Sequence, residues 1–419
     1  SSLLIYPTHS IWGRAHLFKE ETQSIGSLCQ MTMESDGEFS SLLLAERILN
    51  AFERLKPEAI DPFFVMLNQD FDLDMEALKS AIAVYEANPD ASNLARVSRT
   101  AEPKRRELFR RLNLAPGATK RLVKMRERLS ACIKQQPELA KIDTDFRHLF
   151  NAWFNRGFLL LQPIDWTTPA HILEKIIAYE AVHEIKNWPE LRSRLQPADR
   201  YCYAFFHPSM EDEPLVFVEV ALTQSIPKGI DQILNQSSDQ IDPENASCAI
   251  FYSISSCHAG LSGVSFGNFL IKQVAISLKQ RFPQLKTFAT ISPAPGFKSW
   301  LVQQAEKDTA IATLIENFTP DSDERSVKTM LGLAASYYLE QKNARGEPLD
   351  PVARFHLKNG AVLDRLNLLA DLSDKGMEQS LGLMVNYVYD LSRVEDNHED
   401  YMTDHKVVCS NQVKKLLTR

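Results

Sequence analysis

The chain has 419 residues, is 44% hydrophobic and 24% charged, and carries a formal net charge of −7. That composition suits a globular protein of two or three domains, and its acidic balance argues against a nucleic-acid surface. It contains no run of about eighteen apolar residues, so a membrane-spanning helix is not expected.

Up to about Trp153 the chain has a helical rhythm. Leu44, Ile48, Phe52 and Leu55 form one apolar stripe. Met75, Leu78, Ile82 and Tyr85 form a second, with Asp74 placed to cap its start and Asn88-Pro89 to stop it. A third stripe, Leu122, Met125, Leu129 and Ile133, ends before Pro137. The basic run from Lys104 to Arg128 is interleaved with Glu102, Glu107 and Glu127, and reads as a solvated helix face. No strand-like alternation precedes about residue 200, so residues 1–155 are expected to form an all-helical domain. No convergent set of catalytic side chains is visible there, which suits packing or oligomerisation.

Residues 156–419 change character. Tyr201–Phe206 and Leu215–Leu222 read as strands joined by a hairpin-like turn at Glu211-Asp-Glu-Pro214, and Ala249–Ser255 and Thr287–Ile291 as two more. Helices are expected over Ala170–Val182 and Asn268–Arg281, with a helical insertion between Asp308 and Glu347. The order points to an α+β fold with a mixed sheet rather than a parallel doubly wound one. Cys29, Cys132, Cys202, Cys248, Cys257 and Cys409 show no paired spacing, a reduced intracellular pattern, and the cytoplasm is the expected location. A removed organellar leader remains the open alternative.

The most informative stretch is Phe251–Val274, in which a short buried strand runs through Gly260, Gly263 and Gly267 into a helix with Leu270, Val274 and Leu278 on one face. A strand, a glycine-rich turn and a helix start present backbone N–H groups to a pyrophosphate. The spacing is not that of a dinucleotide fold, and it resembles the loop with which N-acetyltransferase-type folds hold coenzyme A. Four other stretches accompany it in order: Glu180–Trp188, Ala289–Leu301, Phe355–Leu363 and Leu381–Tyr389. Together they resemble the malonyl-CoA decarboxylase family over about Trp153 to Leu391.

That resemblance implies a helical N-terminal domain that takes part in tetramer assembly, and an N-acetyltransferase-like catalytic domain that converts malonyl-CoA to acetyl-CoA and carbon dioxide. The amides of Ser262, Gly263, Val264, Ser265, Phe266, Gly267 and Asn268, with Gly260, are expected to hold the coenzyme A pyrophosphate. Some relatives carry glutamate where this chain has Ser265. Taken alone, Ser292 before Pro293 reads as the start of a turn, and His356 in the apolar, strand-like Phe355–Leu357 reads as core. The resemblance implies instead Ser292 as hydrogen-bonding partner or proton acceptor and His356 as proton donor, since histidine's usual pKa of about 6.5 suits proton release near neutrality. Tyr389 and Ser253 match residues the family places near the ligand, and for both a structural role stays open. His183 and Trp188 have no assigned catalytic task.

Loss of carbon dioxide leaves a thioester enolate whose carbonyl is the electron sink, so neither cofactor nor metal is expected. What the chemistry needs is donors aimed at the enolate oxygen, each worth about 3–4 kcal/mol, and a placed acid worth about 10²- to 10⁴-fold. Two other readings share the loop: an acyl-CoA N-acyltransferase and a catalytically silent acyl-CoA-binding scaffold.

Overall fold

The computed structural model describes residues 24–35, 37–235, 240–264 and 270–417. They fall into two compact units. One takes the described residues within Ser1–Leu159, His207–Glu211 and His258–Ser265, and the other those within Leu160–Phe206, Asp212–Cys257 and Phe266–Arg419.

The first unit is helical: α1 (24–34), α2 (Glu38–Glu53), α3 (Pro57–Asp70), α4 (Met75–Ala87), α5 (Ala91–Thr100), α6 (Lys104–Leu112), α7 (Ala118–Ile133) and α8 (Ala140–Trp153). Local chemistry sets its boundaries. Asp74 accepts the Ala77 N–H at 3.0 Å, and Pro57 opens α3 where its missing N–H costs nothing. The stripe Leu44, Ile48, Phe52 and Leu55 is buried, and Phe52 meets Phe63 at 4.9 Å between ring centres. A second aromatic layer stacks Phe109 on Phe146 at 4.1 Å. Such rings contribute roughly 0.5–1.5 kcal/mol per pair beyond their burial.

The stripe on α4 forms the expected helix, with Leu78 and Tyr85 half-buried and Met75 52% and Ile82 39% exposed. One expectation fails. The basic run is not a solvated face. Arg105 is only 2% exposed and donates to Asp145 and Asp72, Arg106 joins Asp145, and Arg126 donates to Asp143 at 2.8 Å. Carboxylates on the neighbouring α8 draw these arginines inward, and a buried guanidinium needs such partners.

The second unit is built on a mixed sheet of β1 (Leu160–Ile164), β2 (Arg200–Phe206), β3 (Val216–Thr223), β4 (Cys248–Ser256), β5 (Thr287–Thr290), β6 (Ser292–Pro293), β7 (Val362–Asn367) and β8 (Met384–Val388). The order is β1-β2-β3-β4-β5-β8-β6, with β7 on β8. Every pairing between these eight strands is antiparallel except β4 with β5. The expected α+β class and mixed sheet are therefore present. β1 was not anticipated: Leu-Leu-Gln-Pro-Ile lies at the sheet edge, is mostly exposed and shows no alternation. Its proline sits where a missing N–H is tolerated.

Helices α9 (Ala170–Tyr179) and α10 (Trp188–Leu195) bury Ile172, Leu173, Ile176, Leu191 and Leu195 against Cys202, Ala204, Phe206 and Phe217. α11 (Asp231–Leu234) packs Ile233 near Ile250, Tyr252 and Ile291. α12 (Leu270–Arg281) buries the expected Leu270, Val274 and Leu278. α13 (Phe297–Ala305), α14 (Thr309–Asn317) and α15 (Glu324–Leu339) include the expected helical insertion. α16 (Pro351–Lys358), α17 (Asp374–Ser380), α18 (Val394–Asp404) and α19 (Asn411–Leu417) complete the unit.

The parallel pair does not stay together. β4 and β5 are in register as far as Phe251 and Thr290, and the Ile291 N–H still reaches the Phe251 carbonyl at 3.2 Å. Beyond that point β4 runs on along β3 to Ser256, while Ser292 crosses to Val385 of β8. Just where the two part, Ser253 faces Glu219 and Phe251 faces Val220, so Tyr252 is an extra residue in β4. A bulge of this kind bends the strand and redirects the side chains beside it.

Candidate active site

Ser292 and His356 come together. Ser292 Oγ lies 2.9 Å from His356 Nε2, and His356 Nδ1 lies 2.8 Å from the Tyr389 hydroxyl. Ser292 is 6% exposed, His356 2% and Tyr389 4%. His356 is not on a strand, as Phe355–Leu357 suggested, but on α16. That helix begins where Asp350 Oδ1 accepts the Ala353 N–H at 2.8 Å and Pro351 occupies the first turn. Asp350 is fully buried, receives the Tyr337 hydroxyl at 3.3 Å, and burial pushes its pKa up to about 6.

Ser292 donates its proton to Thr290 Oγ1 at 2.9 Å, and the same oxygen accepts the Tyr387 N–H at 3.2 Å. With the serine proton committed to Thr290, the consistent neutral tautomer of His356 carries its hydrogen on Nε2 and accepts from Tyr389 at Nδ1. The Tyr387 ring stacks on the imidazole, 4.4 Å between centres. Enclosed in this way, His356 is held by burial down to a pKa of about 3. The usual value expected from the sequence does not apply, and the ring is neutral at pH 7.

Ser253 belongs to a second group. Its hydroxyl donates to both Glu180 carboxylate oxygens at 2.8 Å, Ser255 reaches Oε2 at 3.3 Å, and the N–H groups of Val182 and His183 both reach Oε1 at 2.8 Å. Next to it, Glu219 in the middle of β3 is fully buried and faces Arg194 at 3.1 Å. Burial, reinforced by Glu180, pushes Glu219 up to about 8. His183 is held down to about 4 by burial, while Trp188 is 39% exposed and meets Trp166 edge to face.

The glycine turn is a third group and clusters with the helical unit. A Cβ on Gly260 would stand 2.0 Å from the Val123 carbonyl oxygen, so only glycine fits against α7 there. Gly263 takes φ +72°. The N–H groups of Ser262 and Val264 are used within the turn, on Ala259 and Leu261 at 3.0 Å each. Among the described residues, the Gly263 N–H has no such acceptor. Ser265, Phe266, Gly267 and Asn268 lie outside the described residues. Arg126 Nη1 donates to the carbonyls of Gly260 and Ser262, both at 2.8 Å.

The structure therefore brings together Ser292, His356 and Tyr389, which the resemblance singles out, and adds Thr290, Glu180 and Arg126, which it does not. Thr290 and Glu180 stand inside quoted motifs without a task, two residues from Ser292 and at the head of the Glu180–Trp188 stretch. For Arg126 no local signal existed, because its partners are distant in sequence.

By architecture the chain is a mixed α+β protein with a helical N-terminal unit, and by kinship a decarboxylase. The model of the malonyl-CoA decarboxylase C-terminal domain matches residues 157–419, and that of the N-terminal domain matches residues 71–154. The chain belongs to the malonyl-CoA decarboxylase family. The crystal structure of malonyl-CoA decarboxylase from Rhodopseudomonas palustris is 46% identical, covers 94% of this chain and 99% of that one, and superposes with a TM-score of 0.89. That from Agrobacterium vitis is 48% identical, covers 94% and 100%, and gives 0.88. The mitochondrial malonyl-CoA decarboxylase of Anser anser anser is 34% identical over 353 residues, 76% of this chain and 70% of that protein.

Proposed function

We propose that this chain converts malonyl-CoA to acetyl-CoA and carbon dioxide through an enolate whose proton passes by way of Ser292. The carboxylate-bearing C–C bond breaks, its electron pair moves into the thioester carbonyl, and the carbon then takes one proton. The observation that carries the reading is the 2.9 Å Ser292–His356 contact, enclosed in a protein of this family. A neutral His356 has no surplus proton to give. Its role is to hold Ser292 Oγ with Nε2–H, so that the serine hydrogen can turn from Thr290 towards the developing charge and be replaced from water. Tyr389 fixes the ring and its tautomer.

The glycine turn takes the pyrophosphate end of coenzyme A, and Ser253 is a ligand-side residue fixed by Glu180. Met75, Ile82, Val84 and Leu94 leave α4 and α5 with exposed apolar side chains, which supports homo-oligomer assembly through the helical unit. All six cysteines are free thiols, consistent with a reducing, intracellular compartment. No helix among the described residues is long and apolar enough to cross a membrane.

The test is turnover of malonyl-CoA without added amine. Acetyl-CoA and carbon dioxide should appear in equal amounts, and Ser292→Ala should lower kcat about 10²-fold or more with KM within a few-fold. Turnover that requires an amine would make the chain an N-acyltransferase, and a Ser292→Ala variant with normal kcat would remove the serine from the chemistry.

A further inference from the structure

The turn Gly260–Val264 leaves few of its own amides for an anion. Of the three N–H groups at 262–264, two are spent inside the turn, and Arg126 ties up the carbonyls of Gly260 and Ser262. The Arg126 charge is in turn offset by Asp143 at 2.8 Å. One cation is left. Arg147, one turn after Asp143 on α8, lays its guanidinium along Gly263, with Nε 3.5 Å and Cζ 3.6 Å from the position a Cβ would take. Arg147 is exposed, and among the described residues no carboxylate pairs with it. Gly263 itself takes φ +72°, a conformation that favours glycine, and its N–H has no acceptor among the described residues.

We infer that α8 supplies the cation of the pyrophosphate site: Arg147 contacts the diphosphate of a coenzyme A thioester directly, and Arg126 is the positioning residue that shapes the turn. This rests on the proposed binding of coenzyme A by the glycine turn. A guanidinium is suited to the task because it offers paired donors in one plane and stays charged. The helical unit then has a part in substrate binding, in addition to any part in assembly.

Calorimetry on the full chain tests it, with coenzyme A, dephospho-coenzyme A and S-acetyl-pantetheine as probes. Arg147→Gln, a change at an exposed residue, should weaken both nucleotides about tenfold or more and leave S-acetyl-pantetheine unchanged. Arg126→Lys keeps the charge but not the two-carbonyl geometry. It should raise KM for malonyl-CoA without raising that for malonyl-pantetheine, a split that a general loss of stability would not produce. Gly263→Val reports the turn itself. If Gly263→Val weakens coenzyme A and Arg147→Gln does not, the arginine assignment is overturned and the turn stands. If neither weakens it, the turn is not the nucleotide site. A loss confined to coenzyme A and absent for dephospho-coenzyme A would move Arg147 to the 3′-phosphate and overturn the diphosphate contact.

Discussion

The Tyr389 hydroxyl and His356 Nδ1 stand 2.8 Å apart, and neither group is open to solvent. The tyrosine is the only hydrogen-bond partner of that nitrogen among the described residues. It therefore decides which face of the ring Ser292 meets, and burial pushes its own pKa well above the usual 10.

Tyr389→Phe should keep the fold and lose this restraint. Leaving a buried ring nitrogen unpaired costs about 1–3 kcal/mol, so kcat should fall by roughly 10- to 100-fold with KM little changed. Steady-state kinetics on malonyl-CoA provide the check. An unaltered kcat would mean that the ring is oriented by Tyr387 stacking alone.

The pH dependence follows from two buried histidines. In the unfolded chain both titrate near 6.5, whereas burial holds His356 at about 3 and His183 at about 4. Below about pH 7 these two rings bind more protons in the unfolded chain, so their contribution to stability should fall as pH drops towards 4. Glu219, raised to about 8, and Asp350, raised to about 6, act in the opposite sense over the same range, so the histidine part is read as a difference between proteins. Between about pH 7 and pH 5 the urea midpoint of the parent should shift further towards destabilisation than that of His183→Asn. Equal shifts would show that His183 takes up its proton while folded. For the same reason the rate should show no limb from His356 between about pH 5 and pH 8.

Gly260→Ala should damage the turn more than a methyl group usually does. Its Cβ would meet the Val123 carbonyl at 2.0 Å, so the turn must lift from α7 and strain the Arg126 bonds. Coenzyme A affinity should fall about tenfold or more, in line with one or two lost charge-assisted hydrogen bonds. Calorimetry showing parent affinity would mean that the ligand does not depend on how the turn is seated.

What the sequence disclosed, and what it hid, follows the range of the interactions concerned. Asp74 as a cap, the stripe through Leu44 and Phe52, and the strand entering the glycine turn are set by neighbours a few residues apart, and all can be read from spacing. His356 lies on a helix opened by the Asp350-Pro351 start signature, although the apolar Phe355 and Leu357 on either side of it mimic a strand. β1 could not be seen because an edge strand needs neither alternation nor burial. The buried arginines escaped for a different reason. Whether Arg105 or Arg126 faces water is decided by Asp145 and Asp143 on another helix, and charge spacing along one helix carries no record of that. The Ser292–His356 pair joins residues 64 positions apart, and only the resemblance brought them together.

The Glu180 carboxylate restrains the movement of its own segment. It is held by two serine hydroxyls from β4 and two backbone amides of its own segment, and Lys375 caps the carbonyls of Ala181 and Val182 from a third direction. Segments that open and close during turnover are drawn from loosely bonded, solvent-exposed chain. The link between α9 and α10 is tightly bonded at its start, so around Glu180 it should stay fixed during turnover, more a wall than a door.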